Sequence, residues 1–439
     1  MNSIRSAGAG VFLSFVLAAN LFAGRFADVF LPKINENILA GGVFLVADNE
    51  KILECEAAGF ADIAARKPMR EDALFWIASM TKSFTAVALM TLVDEGKLSL
   101  DDPVSKFIPE FAKPQRIVPE KKKTTTPAPA AAPKTSAANT NNAAKPAPAP
   151  ASGTNPPAQK PRAQIIYNRV PLTVRHLLSH TSGLRGENPL WVSGLTNDIF
   201  PLADYVPLYA GRALIFRAGT GYRYSDANIN VAGRIIEIVS GRSYGDFVRE
   251  RVLEPLGLAD TSFRPAGDQL ARLAKTYNSD PAKSRLDVCR ISLFFYPLDD
   301  RENRHPIPAS GLFSTARDVA VFGQMLLNKG VHKGRRILSE KAVAEMTRAQ
   351  TPPAVKAKYG LGLGLYEENS FGHGGLYSTA FRVWPEHNRV TVYMTQRRKP
   401  DGDNESAKIH SALRALVIPQ KKKPEENAAA KTEPETGEP

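Results

Sequence analysis

Short apolar stretches of strand length cluster at the two ends of the chain. Residues 42–47 and 52–59 near the start, and 360–367, 380–384 and 390–396 near the end, read as strands. Between them the apolar positions recur every third or fourth residue. That spacing predicts helices over 81–95, 173–179, 229–240, 244–253, 315–328 and 339–348. Strands from distant parts of a chain that enclose a helical middle predict an α+β fold. Its antiparallel sheet is built from both chain ends and flanked by helices, with an inserted, mainly helical lobe. The groove between sheet and lobe is the expected site.

Composition changes this picture at three places. Phe111 and Tyr167 bracket a stretch with no aromatic residue, in which Pro recurs among Ala, Thr, Asn and Lys. Such a stretch buries too little apolar area to offset its ordering entropy, so residues 113–163 are read as a disordered insertion and 419–439 as a disordered tail. The net charge of +13 is concentrated rather than spread, because residues 112–163 carry nine Lys or Arg against one Glu. That concentration argues against a nucleic-acid-binding face and leaves cell-wall polymers as a candidate contact of the insertion. At the N-terminus, Arg5 precedes an apolar run from Val11 to Phe22 that ends near Ala23 and Gly24. Residues 1–27 therefore read as a signal peptide, and the protein as exported to the periplasm with no stable membrane insertion after cleavage. The folded part is then a single catalytic domain formed by 28–112 and 164–418. The only two cysteines, Cys55 and Cys289, read as small buried thiols, with pairing left open.

The chemistry is concentrated in three motifs. In Ser79-Met80-Thr81-Lys82, the only Ser-x-x-Lys in the chain, the apolar run 86–93 that follows covers nearly every face of a helix, and such a helix is buried. Ser79 then sits at its N-terminal end, where free N–H groups can hold a developing oxyanion, with Lys82 on the same face. Desolvation lowers the pKa of an amine, so Lys82 is expected to be neutral and to accept the Ser79 proton. The competing reading has Ser79 as a helix cap and Lys82 in solvent. The second motif is Tyr224-Ser225-Asp226, ahead of the helix from Ile229, where a phenol beside a cation ionises more easily. The third is His373-Gly374-Gly375-Leu376, whose glycines let a ligand approach the backbone.

Together, and in this order, the three motifs resemble the serine β-lactamase and penicillin-binding protein superfamily, closest to its class C-like branch of esterases and peptidases. Leu98 to Val104, His176 to Leu184, Glu254 to Leu258 and Gly311 to Ala316 add to the resemblance. It implies that Ser79 is acylated, that Lys82 and Tyr224 move its proton to the leaving group, and that the Ser79 and Leu376 N–H groups hold the oxyanion. It implies a structural role for His180. Asp226, His373, Gly374 and Gly375 would line the substrate site, with no metal or cofactor.

Two departures bear on substrate. Asp226 replaces the family's usual Asn and, when ionised, cannot donate to an amide carbonyl. His373 replaces the usual Lys and is mostly neutral near pH 7, which weakens its grip on a carboxylate. Both favour a small carboxylic ester over the alternatives, a D-Ala-D-Ala peptide or a β-lactam. A non-catalytic cell-wall sensor is the remaining reading. Gly241-Arg242-Ser243-Tyr244-Gly245 matches a nucleophile elbow, but a helix precedes it where a strand is required, and Ser243 reads as a helix cap. The seven histidines show no metal-binding spacing.

Overall fold

A computed structural model describes residues 24–119, 166–186, 189, 198–280, 285–291, 293–398 and 404–419. The apolar run 11–22, most of the 113–163 segment and nearly all of the tail from 419 lie outside the described residues. Seven strands form the main sheet: β1 (Gly41–Ala47), β2 (Ile52–Asp62), β3 (Lys67–Pro68), β4 (Gly364–Leu365), β5 (Phe371–Gly374), β6 (Ala380–Trp384) and β7 (Arg389–Met394). Their spatial order is β4-β5-β6-β7-β1-β2-β3, antiparallel throughout. Val43 of β1 faces Met394 of β7 on one side and Ala57 of β2 on the other, so the two chain ends meet at the middle of the sheet. This is the sheet expected from the sequence.

Every residue of β1 is buried because both faces of the sheet are covered. With side chains alternating along a strand, Val43, Leu45 and Ala47 enter the main core. Phe44 and Val46 enter a second cluster with Phe26, Phe30, Tyr393 and Leu413. That second layer is made by helix α1 (Ala27–Asn35) and a helix near the C-terminus, Glu405–Ala415. Neither was foreseen. Phe26 and Ala27, which the sequence reading gave to the leader, belong to the fold: Phe26 is fully buried, edge-on to Phe44 at 4.7 Å. A boundary at 27 would separate a core aromatic from the domain in which it packs.

On the other face helix α2 (Thr81–Asp94), packed against helix α3 (Asp226–Ser240), continues the same core in which helix α4 (Ala316–Leu327) packs on the sheet. Twelve residues of α2, from Thr81 to Leu92, are buried, as its all-round apolar sequence requires. The 113–163 boundary also moves. Arg116–Ile117 pairs with Ile166–Tyr167, and Gln115 is buried against the carbonyls of Ala210 and Arg212, so residues 113–119 belong to the folded part. The 360–367 run narrows to β4 because Gly362 is left-handed, with φ +70. Cys55 and Cys289 are both free, and burial pushes the Cys55 thiol up to about 12. Among the described residues no helix is long and apolar enough to cross a membrane.

Candidate active site

Ser79 sits in a single 3-10 turn, Ala78–Met80, directly ahead of α2. The turn is held from two sides. The short pair Phe75–Trp76 with Phe313–Ser314 fixes its approach, and the Ile77 N–H donates to the Leu312 carbonyl (3.1 Å). Ala78 adopts φ 45, an uncommon conformation for a residue with a side chain, and the Thr81 hydroxyl donates to its carbonyl (2.6 Å). Backbone strain of this kind persists only when surrounding bonds over-determine it, and here they fix the direction of Ser79.

One turn later, Lys82 is wholly buried. Its Nζ donates to Ser79 Oγ (3.0 Å) and to the Ala309 carbonyl (2.8 Å), and lies 2.7 Å from Asp226 Oδ1. It also stands 4.8 Å from the centre of the Tyr224 ring. The expectation of a neutral amine is overturned. Burial is the largest influence and pulls the Lys82 pKa down, but the Asp226 carboxylate and Tyr224 together outweigh it, so the net shift is upward from 10.5. Lys82 rests as an ammonium.

Tyr224 moves the same way, against the expectation that a neighbouring cation would ease its ionisation. Although 38% of its surface is open, protein atoms crowd the hydroxyl. That desolvation raises its pKa more than Lys82 lowers it, and Asp226 raises it further. The Lys82–Tyr224 pair therefore holds its protons more tightly than either free side chain. A test follows from the sign. The Asp226 carboxylate raises both members, so Asp226→Asn lowers both. If loss of one proton from the pair makes the base, the rising limb of the pH profile of kcat/KM is expected to move to lower pH. An unmoved midpoint would show that Asp226 is not coupled to the pair.

His180 supports the Tyr224-Ser225-Asp226 segment rather than reacting. Its buried Nδ1 accepts from the Ser225 N–H (3.3 Å) and faces Asn228 Nδ2 (3.1 Å), and its ring lies 4.5 Å from that of Tyr224. Burial holds it well below 6.5, and therefore neutral. His373 on β5 is buried too. Its Nδ1 meets the Gly374 carbonyl oxygen (2.8 Å) and its Nε2 the Tyr359 hydroxyl (3.0 Å). Burial, then the Lys82 charge, lowers it to about 3, so it is no cation at any working pH. Tyr359, which the sequence reading missed, and the Ala309 carbonyl complete the constellation. Tyr359 begins a glycine-rich stretch tied to α2, where the Ser83 hydroxyl donates to the Gly362 carbonyl (2.8 Å). Nothing in the local pattern marks either residue.

Gly375 brings the third motif against the first. A Cβ at this position would overlap Thr379 Oγ1 and lie 2.6 Å from the Ile77 carbonyl oxygen. Gly374 has no such constraint. Leu376, next in the chain, is 49% exposed at the edge of the groove. Gly375→Ala is expected to cost about 1–3 kcal/mol of stability and to displace the turn carrying Leu376 from Ser79. Thermal unfolding together with ester turnover checks it; a variant unchanged in both would contradict the packing. Ser243 caps the helix Tyr244–Val248 by accepting from the Asp246 N–H (3.2 Å), and α3 precedes it, so the elbow reading fails.

The sequence profile of the beta-lactamase family matches residues 26–118 and 166–416. The chain belongs to the beta-lactamase family. Esterase EstB of Burkholderia gladioli is 31% identical over 286 residues, covering 62% of this chain and 59% of EstB. Penicillin-binding protein 4 of Amycolatopsis lactamdurans is 26% identical over 340 residues, 74% of this chain and 72% of that one. Among solved structures, EstCE1, described as a hydrolase with promiscuous acyltransferase activity, superposes with a TM-score of 0.68. It shares 22% identity and covers 90% of this chain and 99% of its own. Esterases and penicillin-binding proteins thus both stand among the relatives of this family member. The match breaks off at 118 and resumes at 166, where the described residues also break.

Proposed function

We propose that this protein is a serine hydrolase that acts on carboxylic esters through an acyl-Ser79 intermediate. The observation that carries the reading is the 3.0 Å contact between Ser79 Oγ and a fully buried Lys82 that also engages Tyr224 and Asp226. After the Lys82–Tyr224 pair has lost one proton, it accepts the Ser79 proton as Oγ attacks the ester carbon. Tyr224, the member open to the groove, returns that proton to the departing alkoxide. Water then cleaves the acyl-enzyme by the reverse proton path. The Ser79 and Leu376 N–H groups would carry the oxyanion.

The ester preference rests on two commitments of the site. Asp226 is engaged by Lys82 and has no hydrogen to offer an amide carbonyl. His373 is neutral and sealed by Tyr359, so the third motif presents no cation to a peptide carboxylate or a β-lactam acid. We also place the enzyme outside the cytoplasm, on the pattern of its first residues. Turnover of a p-nitrophenyl ester, nitrocefin and a D-Ala-D-Ala peptide by one preparation tests the substrate class. Ester cleavage is expected to exceed the other two by roughly a hundredfold or more in kcat/KM. Lactam or peptide turnover matching it would overturn the preference, and no turnover of any of them would favour a binding protein.

A further inference from the structure

Beside the catalytic residues runs a groove of about 800 Å³ that the mechanism leaves unused. Its walls are aromatic: Tyr222, Tyr224, Tyr359 and Tyr366 all line it. Tyr366 is 40% exposed, and the Arg382 guanidinium lies 3.5 Å from its ring centre, which fixes the ring. Tyr222 and Tyr359 stand 5.8 Å apart. Tyr224 and Tyr366 leave their rings open to solvent, with the buried Tyr359 behind them, and such rings are suited to stacking against another flat apolar group.

The rim is positively charged. Lys356 and Lys358 line the groove, both are exposed, and among the described residues neither has a carboxylate partner. Glu367, the acid that shares the lining, is paired with Arg414 (3.0 Å), so it does not cancel them. The side of the scissile bond that enters this groove follows from the proton path. Tyr224 returns the proton to the departing oxygen, and Tyr224 is itself a wall of the groove, whereas Ser79 and Leu376 are not. The alcohol half of the ester therefore lies here.

We propose that the preferred substrates are aryl esters whose leaving phenol carries an anionic substituent, its ring against the tyrosine walls and its charge beside Lys356 and Lys358. This rests on the esterase reading above. The step is balanced: the Ser79 Oγ–acyl bond forms as the acyl–aryloxy bond breaks, and the Ser79 proton ends on the phenol oxygen.

The full-length protein is assayed with phenyl acetate, 4-acetoxybenzoate and 4-acetoxy-N,N,N-trimethylanilinium at low ionic strength. Each kcat/KM is divided by the ester's hydroxide-catalysed rate to remove intrinsic reactivity. The anionic ester is expected to exceed the neutral one by about tenfold and the cationic one by more, with the gap narrowing in salt. In the double variant Lys356→Gln/Lys358→Gln, both at the surface, the anionic-to-neutral ratio is expected to fall to about one. Ser79-dependent cleavage of all three esters with no charge discrimination would overturn this inference and leave the esterase reading standing. Cleavage indifferent to Ser79→Ala, or absent for all three, would overturn both.

Discussion

Ser79→Ala is expected to lower kcat/KM for a p-nitrophenyl ester by about 10⁴-fold or more, and to abolish the covalent adduct with a fluorophosphonate seen by intact-mass measurement. The loss is large because no neighbour can substitute. Lys82 Nζ is wholly buried and charged, and the Tyr224 hydroxyl serves the proton path rather than the attack. The fold has little reason to suffer. With the hydroxyl gone, Lys82 keeps the Ala309 carbonyl and the Asp226 carboxylate, so the ammonium remains paired. Ser243→Ala, by contrast, removes only a helix cap and should leave the adduct intact. An adduct that survives in Ser79→Ala and disappears in Ser243→Ala would reverse the assignment.

Lys82→Met is expected to reduce kcat/KM by about 10²–10⁴-fold and to slow fluorophosphonate labelling in parallel, because it removes half of the pair that accepts the Ser79 proton. Methionine has similar length and suits the apolar surroundings of α2. The partner left behind, Asp226, keeps 43% of its side chain in solvent, so it is not stranded as a buried unpaired charge. The variant should therefore fold, and its thermal midpoint distinguishes a chemical loss from a structural one. Near-normal turnover in a folded Lys82→Met would remove the amine from the mechanism.

The sequence pointed to Ser79, Lys82 and Tyr224, which the structure brings together, but not to how the site holds its protons. Ser79 and Lys82 were legible because three residues is nearly one helical turn, so their meeting is a local matter. The sheet was legible because strands covered on both faces leave short, continuous apolar runs in the sequence. The state of Lys82 was not legible. It depends on Asp226, more than a hundred residues away, reaching its nitrogen to 2.7 Å, and burial considered alone gave the wrong sign. Tyr359 and the Ala309 carbonyl were missed for the same reason, since only the packed tertiary structure brings them to the site. Helix α1 was hidden because it begins only a few residues after a leader-like run, with its N-cap Phe26 inside the stretch assigned to the leader. The helix expected over 244–253 splits into Tyr244–Val248 and a π-helical segment, Arg249–Leu253, a change in winding that apolar spacing does not report.

Pairing β1 with β7 has a consequence for how the molecule comes into being. Val43 leaves the ribosome roughly 350 residues ahead of its neighbour Met394. A growing chain therefore cannot close this ladder until every element between the two strands has been made, and the entropy of so long a loop delays closure further. Throughout that interval the β1 edge that β7 will cover stays unpaired, the kind of edge that other chains can join.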